Sequence, residues 1–301
     1  MAVDAGLKDI LERLYSRYNH RRLIKPDPLQ FVYRYSTPAD MEIAGFLSAD
    51  LAYGRVQQIE KGLADLFSRM DEHPFDFTRN FDKHGRQRLK SFRHRFTAGD
   101  DISDLLELLK DVLEENGSIE KYFLLGYGKN DGNIITALSR FCDGLLAIYA
   151  KRHGGTITKG LRYLLVSPSA GSACKRLNLF LRWMVRDDEV DTGLWKSIDR
   201  AKLIVPIDVH MGRLCRILGL YTRRTTSLPA AVEITKRFAE MEPADPVKYD
   251  FALSRVGIVE DCTGRYRPQC GDCELFELCL DQNSESGRMT PHSKADHTFR
   301  D

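Results

Sequence analysis

No stretch of this chain approaches the roughly 18 consecutive apolar residues of a membrane-spanning helix, so a membrane protein of that kind is not expected. The N-terminal segment MAVDAGLKDILERLYSRY is charged and amphipathic and has no apolar signal-peptide core, which predicts a cytoplasmic location. Strong charge of one sign is also missing. A net charge of +2 over 301 residues does not announce a nucleic-acid binder, so any such reading must be local. Alternating strand-type runs and internal repeats are absent, which argues against sheet and repeat architectures. Seven cysteines without a secretory signal do not make a disulfide framework and point to metal binding or buried thiols.

What is present is an ordinary core-forming composition, 43% hydrophobic and 10% aromatic. Apolar residues recur at spacings of three and four, as in Ile43, Phe46, Leu47 and Leu51, then Val56, Ile59, Leu63, Leu66 and Phe67. Ala52–Arg55 between these runs reads as a tight turn. Helices are predicted again over 102–115 and 134–149, and Gly154–Gly155 breaks the chain. Residues 71–100 have weak periodicity and predict irregular structure or an inserted subdomain. The tail 281–301 has almost no apolar residues and is expected to be mobile. The predicted fold class is all-α.

The densest chemical signal is CTGRYRPQCGDCELFELC, in which Cys262, Cys270, Cys273 and Cys279 follow the spacing C-x7-C-x2-C-x5-C. Thiolates this close in a reducing compartment are a metal site, and four of them satisfy either a [4Fe-4S] cluster or tetrahedral zinc. Cys142, Cys174 and Cys215 lie in helical patterns and read as small buried hydrophobes.

Upstream, the segment LLVSPSAGSACKRLNLFLRWMVR opens a helix after a short Pro-Ser-Ala-Gly connection. Leu177, Phe180, Leu181 and Met184 form its apolar face. Lys175, Asn178, Arg182 and Arg186 fall on the opposite side, predicted to face solvent. The wider stretch carries Arg176, Arg213, Arg216, Arg223 and Arg224 as well, and reads equally as a solvated surface or a phosphate footprint. Asp208 follows an apolar run and precedes a helix with Met211, Leu214, Cys215 and Leu218 on one face, which makes it an N-cap candidate. Capping keeps a carboxylate ionised, so a cap and a catalytic anion are compatible readings.

These segments together resemble the helix-hairpin-helix DNA glycosylase superfamily. The cysteine spacing is similar to the endonuclease III pattern C-x6-C-x2-C-x5-C with one residue added. PIDVHMGRLCRILGL resembles VDTHVxRVxxRLGL, and DPVKYDFALSRVGIVEDC resembles the helix leading into the cluster. EIAGFLSADLAYGRVQQIEKGLADLF is similar to the superfamily's first core helix and the turn after it, with Asp50 where Gln is frequent. The hairpin LPGVGxKTA is matched only at Gly171, with Ser169 at the first Gly. Lys175 and Asp208 look more like the displaced pair of the archaeal 8-oxoguanine glycosylase branch. SACKRLNLFLRWMVR and VPIDVHMGR also resemble phrases of a bacterial family of undefined role within that superfamily.

The resemblance implies two helical domains. One is formed by 1–40 with 200–280 and carries the cluster loop; the other is 41–199, with the hairpin and an insert at about 70–130. It implies a monomeric, nucleoid-associated DNA repair glycosylase acting on double-stranded DNA with a damaged base, 8-oxoguanine-type favoured. Asp208 would stabilise the sugar cation and Lys175 would form a Schiff base with AP lyase activity. Ser169, Gly171, Ser172, Arg176, Arg182 and Arg213 would bind DNA. Asp50, Tyr53, Gln57 and Trp183 would form the base pocket, with Trp195 and Gln58 as further candidates, and the four cysteines would hold [4Fe-4S]. Two other readings stay open: an iron-sulfur protein that binds nucleic acid without cutting it, and a zinc-stabilised helical scaffold.

Overall fold

The computed structural model describes residues 5–223, 225–258, 262, 268–276, 278 and 279. Arg224 and the tail predicted to be mobile lie outside the described residues. The fold is all-α. In chain order come α1 (Ala5–Tyr18), α2 (Pro38–Asp50), α3 (Val56–Arg69), α4 (Pro74–Arg79), α5 (Lys83–Leu89), α6 (Gly99–Asn116) and α7 (Ile119–Leu124). They are followed by α8 (Ile135–Arg152), α9 (Lys159–Leu164), α10 (Lys175–Val185), α11 (Val209–Ile217), α12 (Leu228–Met241) and α13 (Asp250–Ile258). A two-residue antiparallel pair, β1 (Arg93–His94) and β2 (Thr97–Ala98), forms a hairpin ahead of α6.

The centre is α2. Pro38 occupies its first turn and the Thr37 hydroxyl accepts the Asp40 N–H at 3.2 Å, which fixes where the helix begins. From Glu42 to Asp50 every residue is buried, because α10, α4 and the 3-10 segment Pro28–Arg34 pack around it. A helix covered on all sides belongs to the core rather than to the surface. Glu42 is tolerated there because its carboxylate accepts the Ile119 and Glu120 N–H groups at the start of α7, and the Trp195 indole N–H at 2.8 Å.

The periodic segments form helices where expected, α6 and α8 among them, and the Ala52–Arg55 turn joins α2 to α3. Residues 71–100 are ordered. They build α4 and α5, of six and seven residues, and the β-hairpin, packed on α2 and α6. Helices of fewer than two turns put only one or two apolar residues on a face, too few to show a repeat. Segments far apart in the chain meet at α1, which buries Leu7, Leu11, Leu14 and Tyr18 and packs on α13, while its Glu12 receives Lys248 Nζ at 2.7 Å and the Tyr249 hydroxyl at 2.6 Å.

The largest departure from the sequence reading is α10. Three of the four residues on its predicted solvent face are buried: Asn178, Arg182 and Arg186 are 3%, 1% and 2% exposed, and Lys175 alone stays partly open. Arg182 pairs with Asp191 and Asp250. Arg186 pairs with Asp188 at 2.9 Å, Asp245 at 3.0 Å and Asp191. Burial works against the charge on both guanidiniums, but Asp191 and the other carboxylates outweigh it and hold both above the usual arginine value. Helical periodicity separates apolar from polar faces, and cannot tell a polar face turned to water from one turned to buried counter-charges.

This network predicts a stability effect. Arg186→Ala leaves carboxylates buried without their partner and should destabilise the fold by about 3–5 kcal/mol in urea unfolding at neutral pH. A loss below about 1 kcal/mol, the scale of an exposed pair, would show that the network does not hold the centre together.

Candidate functional site

A cleft of about 890 Å³ opens between the α2–α3 turn, α9, the starts of α10 and α11, and α13. That is ample for a nucleoside-sized ligand. The segment 165–174, with a 3-10 turn at Pro168–Ala170, connects α9 to α10, with Cys174 in the left-handed region (φ 47) as the last residue before the helix. Lys175 is therefore the first residue of α10. Asp208 is the N-cap of α11 and accepts the Met211 N–H at 2.8 Å through Oδ1.

The two helix starts face each other, and Lys175 Nζ lies 2.8 Å from Asp208 Oδ2. Their side chains are 35% and 31% exposed, so the pair lies on the cleft wall and not within packed core. Burial pushes the Asp208 carboxyl up. The Lys175 ammonium, its hydrogen bond, the Met211 N–H and His210 outweigh that and hold it below the usual carboxylate range. An ionised carboxylate in contact with a primary amine, both open to a cleft, can oppose a developing cation and exchange a proton with the amine.

The other residues singled out in the sequence divide. Tyr53 borders the cleft, donates its hydroxyl to the His94 carbonyl at 3.0 Å while accepting from the Thr97 hydroxyl at 2.6 Å, and meets the Tyr163 ring edge-on at 5.2 Å. Ser172 also lines the cleft, where its hydroxyl accepts the Cys174 N–H at 3.1 Å. Arg176 lines it too, but its guanidinium is turned inward to the Asp50 carbonyl at 2.6 Å and lies 4.4 Å over the Tyr163 ring. Asp50 is completely buried, does not border the cleft, and pairs with Arg176 at 3.3 Å. Burial pushes its carboxyl up to about 7 against the Arg176 charge, and it cannot read a base edge from there.

Trp183 is 0% exposed and Trp195 2%, so both belong to the core and neither stacks on a ligand in the cleft. Gln57 and Gln58 are exposed on α3, outside the cleft lining. Arg182 borders the cleft only from its buried network and cannot serve as a phosphate contact. Arg213 spends Nη1 on the Cys262 carbonyl at 2.9 Å. Gly171 is exposed in the left-handed region (φ 80), with open space where a side chain would stand. Ser169 turns its hydroxyl to Asp143 at 3.2 Å, which places an anion where a phosphate was expected.

Sequence reasoning missed Tyr163 and Asp250, which border the cleft from α9 and α13. Asp250 lies in the segment DPVKYDFALSRVGI, where its neighbours were noted as a helix. An acid in the first turn of an otherwise apolar helix was the available signal.

None of the seven cysteines is in a disulfide, and Cys262, Cys270, Cys273 and Cys279 are partly exposed. Cys270 lies in a 3-10 turn (Pro268–Asp272) running into Cys273, whose N–H reaches the Cys270 carbonyl at 3.2 Å. Among the described residues no three side chains of ligating type converge as a metal cage. The donor chemistry, four thiols in one short stretch, nevertheless suits a [4Fe-4S] cluster or zinc.

The lowered Asp208 value predicts a pH effect. Asn also caps a helix, so Asp208→Asn chiefly removes the ion pair. The folded carboxyl titrates below its unfolded value near about 3.9. The pair therefore contributes stability above that pH and loses it as pH falls through the folded value. The melting temperature of Asp208→Asn should lie below that of the wild type at pH 7, with the gap closing toward pH 3. A gap independent of pH would contradict the pairing.

Comparison with known sequences adds one match: the family model described as "Protein of unknown function (DUF2400)" covers residues 27–259. That stretch contains Gly171, Lys175 and Asp208, and stops short of Cys262. No curated protein and no solved structure matches the chain. With the match spanning well over half of its length, the chain belongs to the DUF2400 family.

Proposed function

We propose that this protein is a DNA base-excision glycosylase with an associated lyase step, in the manner of the helix-hairpin-helix glycosylases its sequence resembles. The observation that carries the reading is the Lys175–Asp208 contact of 2.8 Å on the wall of a nucleoside-sized cleft. A base inside a duplex is inaccessible at its glycosidic bond, so the substrate nucleotide must rotate out of the stack into the cleft.

Asp208, ionised and held in place by the Met211 N–H, opposes the positive charge that builds on the sugar as the bond to the base breaks. The Lys175 ammonium gives up a proton through Asp208 to the departing base, and its nitrogen then bonds to C1′. Opening of the sugar ring converts this to a Schiff base, from which β-elimination releases the 3′ phosphate. A purine of the 8-oxoguanine type is the favoured lesion, from the likeness of the Lys175 and Asp208 arrangement to that branch. Tyr53 and Tyr163 are the aromatic groups bordering the cleft that can touch the extruded base.

Cys262, Cys270, Cys273 and Cys279 would hold a [4Fe-4S] cluster, which when bound supplies a rigid cross-link for the C-terminal segment. Protein purified without oxygen should be brown and contain iron and acid-labile sulfide in equal amounts, both lost in Cys270→Ser. A colourless protein carrying zinc would replace the cluster with a structural ion.

The enzymatic reading is tested on a panel of lesion-containing duplexes. Borohydride should trap a covalent protein–DNA adduct with the wild type and none with Lys175→Gln. Asp208→Asn should slow base release by about 10²-fold or more. Wild-type binding to the panel with no base release from any duplex would overturn the enzyme and leave a non-catalytic DNA-binding protein.

A further inference from the structure

Arg182, at the centre of the buried charge network, has one nitrogen to spare. Its Nε donates to Asp191 Oδ1 at 3.3 Å and its Nη1 to Asp250 Oδ2, but Nη2 is buried with no hydrogen-bond partner among the described residues. A buried donor without an acceptor is costly, and each one in a native fold calls for an explanation. Of the buried side-chain atoms in that condition among the described residues, only the one on Arg182 belongs to a residue that borders the cleft. The side chain is 1% exposed, so this donor stands at the cleft floor and not on its rim.

The surroundings decide which acceptor fits. Asp191, Asp250 and Asp27 all act on this guanidinium, so its charge is already offset and a phosphate would meet three carboxylates. A neutral acceptor, a keto oxygen or a ring nitrogen, takes the hydrogen bond without adding charge. The donor is also held in place, because two carboxylates grip the guanidinium and the Phe251 ring lies 5.7 Å from its Cζ. A donor fixed before the ligand arrives loses little freedom on meeting it.

Its position along α10 relates it to the Lys175–Asp208 pair. Lys175 and Arg182 are about two turns apart, so they share a face of the helix, with Arg182 about 10 Å further along the axis and its side chain leaning back toward the helix start. Asp250 joins the two places. It pairs with Arg182, and its carboxyl, which burial holds above the usual range, also feels the Asp208 and Lys175 charges. A purine nucleotide whose C1′ sits at Lys175 can therefore extend the far edge of its six-membered ring toward Arg182, while its 8 position stays beside the sugar.

We infer that Arg182 Nη2 reads the extruded base, donating to the keto oxygen at the 6 position of a guanine-type purine in the cleft. This rests on the glycosylase reading for the polymer and for the position of C1′. An adenine-type base presents an amino group at the same position, which sets donor against donor and leaves Nη2 unpaired, so it is rejected. The network that fixes α10 in the core thus also aims a specificity-determining donor at the ligand.

The test measures the affinity of the full-length protein for duplexes carrying one 2′-fluoroarabino nucleotide, whose glycosidic bond resists cleavage. Its base is 8-oxoguanine, or 2-amino-8-oxopurine, which lacks the 6-oxygen, or 8-oxoadenine. The wild type should bind the 8-oxoguanine duplex about tenfold or more tightly than either of the others. Arg182→Lys keeps the charge but not the second nitrogen, and should bring the three affinities together. Should that variant not fold, Arg182→Met with Asp250→Asn removes the buried charges as a pair and should give the same levelling. Equal wild-type affinities, or a 6-oxygen preference that survives in the folded Arg182 variant, remove Arg182 as the reader. Excision of 8-oxoguanine from an ordinary duplex alongside that result leaves the glycosylase standing. An Arg182-dependent preference without excision of any base keeps the reader and removes the glycosylase. Binding to none of the three duplexes overturns both.

Discussion

Two guanidiniums shut away from water must be neutralised where they lie, and that constraint organises the centre of this molecule. Arg182 and Arg186 stand one turn apart on α10 and draw in Asp188 and Asp191 from the following loop, Asp245 before α13, and Asp250 at its start. The pairing fixes α10 relative to α13. Because α11 packs on α13, the start of α11 is fixed relative to the start of α10 as well. The distance between Lys175 and Asp208, on which the proposed chemistry rests, is thus set by charges buried more deeply than either residue. Asn19 and Tyr15 join the same network through Asp188, so α1 is anchored to it too.

The cleft mouth obeys a different constraint, the hydrogen bonding of a short β-hairpin to the α2–α3 turn. Gly54 lets Arg95 cross the α2–α3 turn, and Tyr53 bonds both strands of the small hairpin. Residues with no sequence periodicity are in this way made as well defined as the helices behind them. Arg176 shows the same economy: it stacks on Tyr163, reaches the Asp50 carbonyl, and balances part of the cost of burying the Asp50 carboxylate.

The helical class, the long helices α6 and α8, the turn at 52–55 and the cap at Asp208 were legible because each depends on local rules: periodicity, glycine placement, and a short acid before an apolar helix. The approach of Lys175 to Asp208 was anticipated from a resemblance of motifs, not from any local rule. Asn178, Arg182 and Arg186 were misjudged because polarity was taken for exposure. Trp183 and Asp50 were assigned to a pocket because aromatic and acidic residues suit one, whereas both lie on covered faces of α10 and α2 that leave them no route to it. Tyr163 was not seen at all. Its place on the cleft wall comes from α9 and the β-hairpin meeting at Tyr53, between segments far apart in the chain.

By itself the sequence determined which segments are helical, where several of them start, and that four thiols lie close together near residue 270, since these follow from neighbours along the chain. Only the tertiary structure decided which polar side chains face water, which face buried counter-charges, and which line a common cleft. Exposure and proximity are set by what packs against a residue from distant segments, and the energy of a charge depends on those surroundings far more than on its neighbours in sequence.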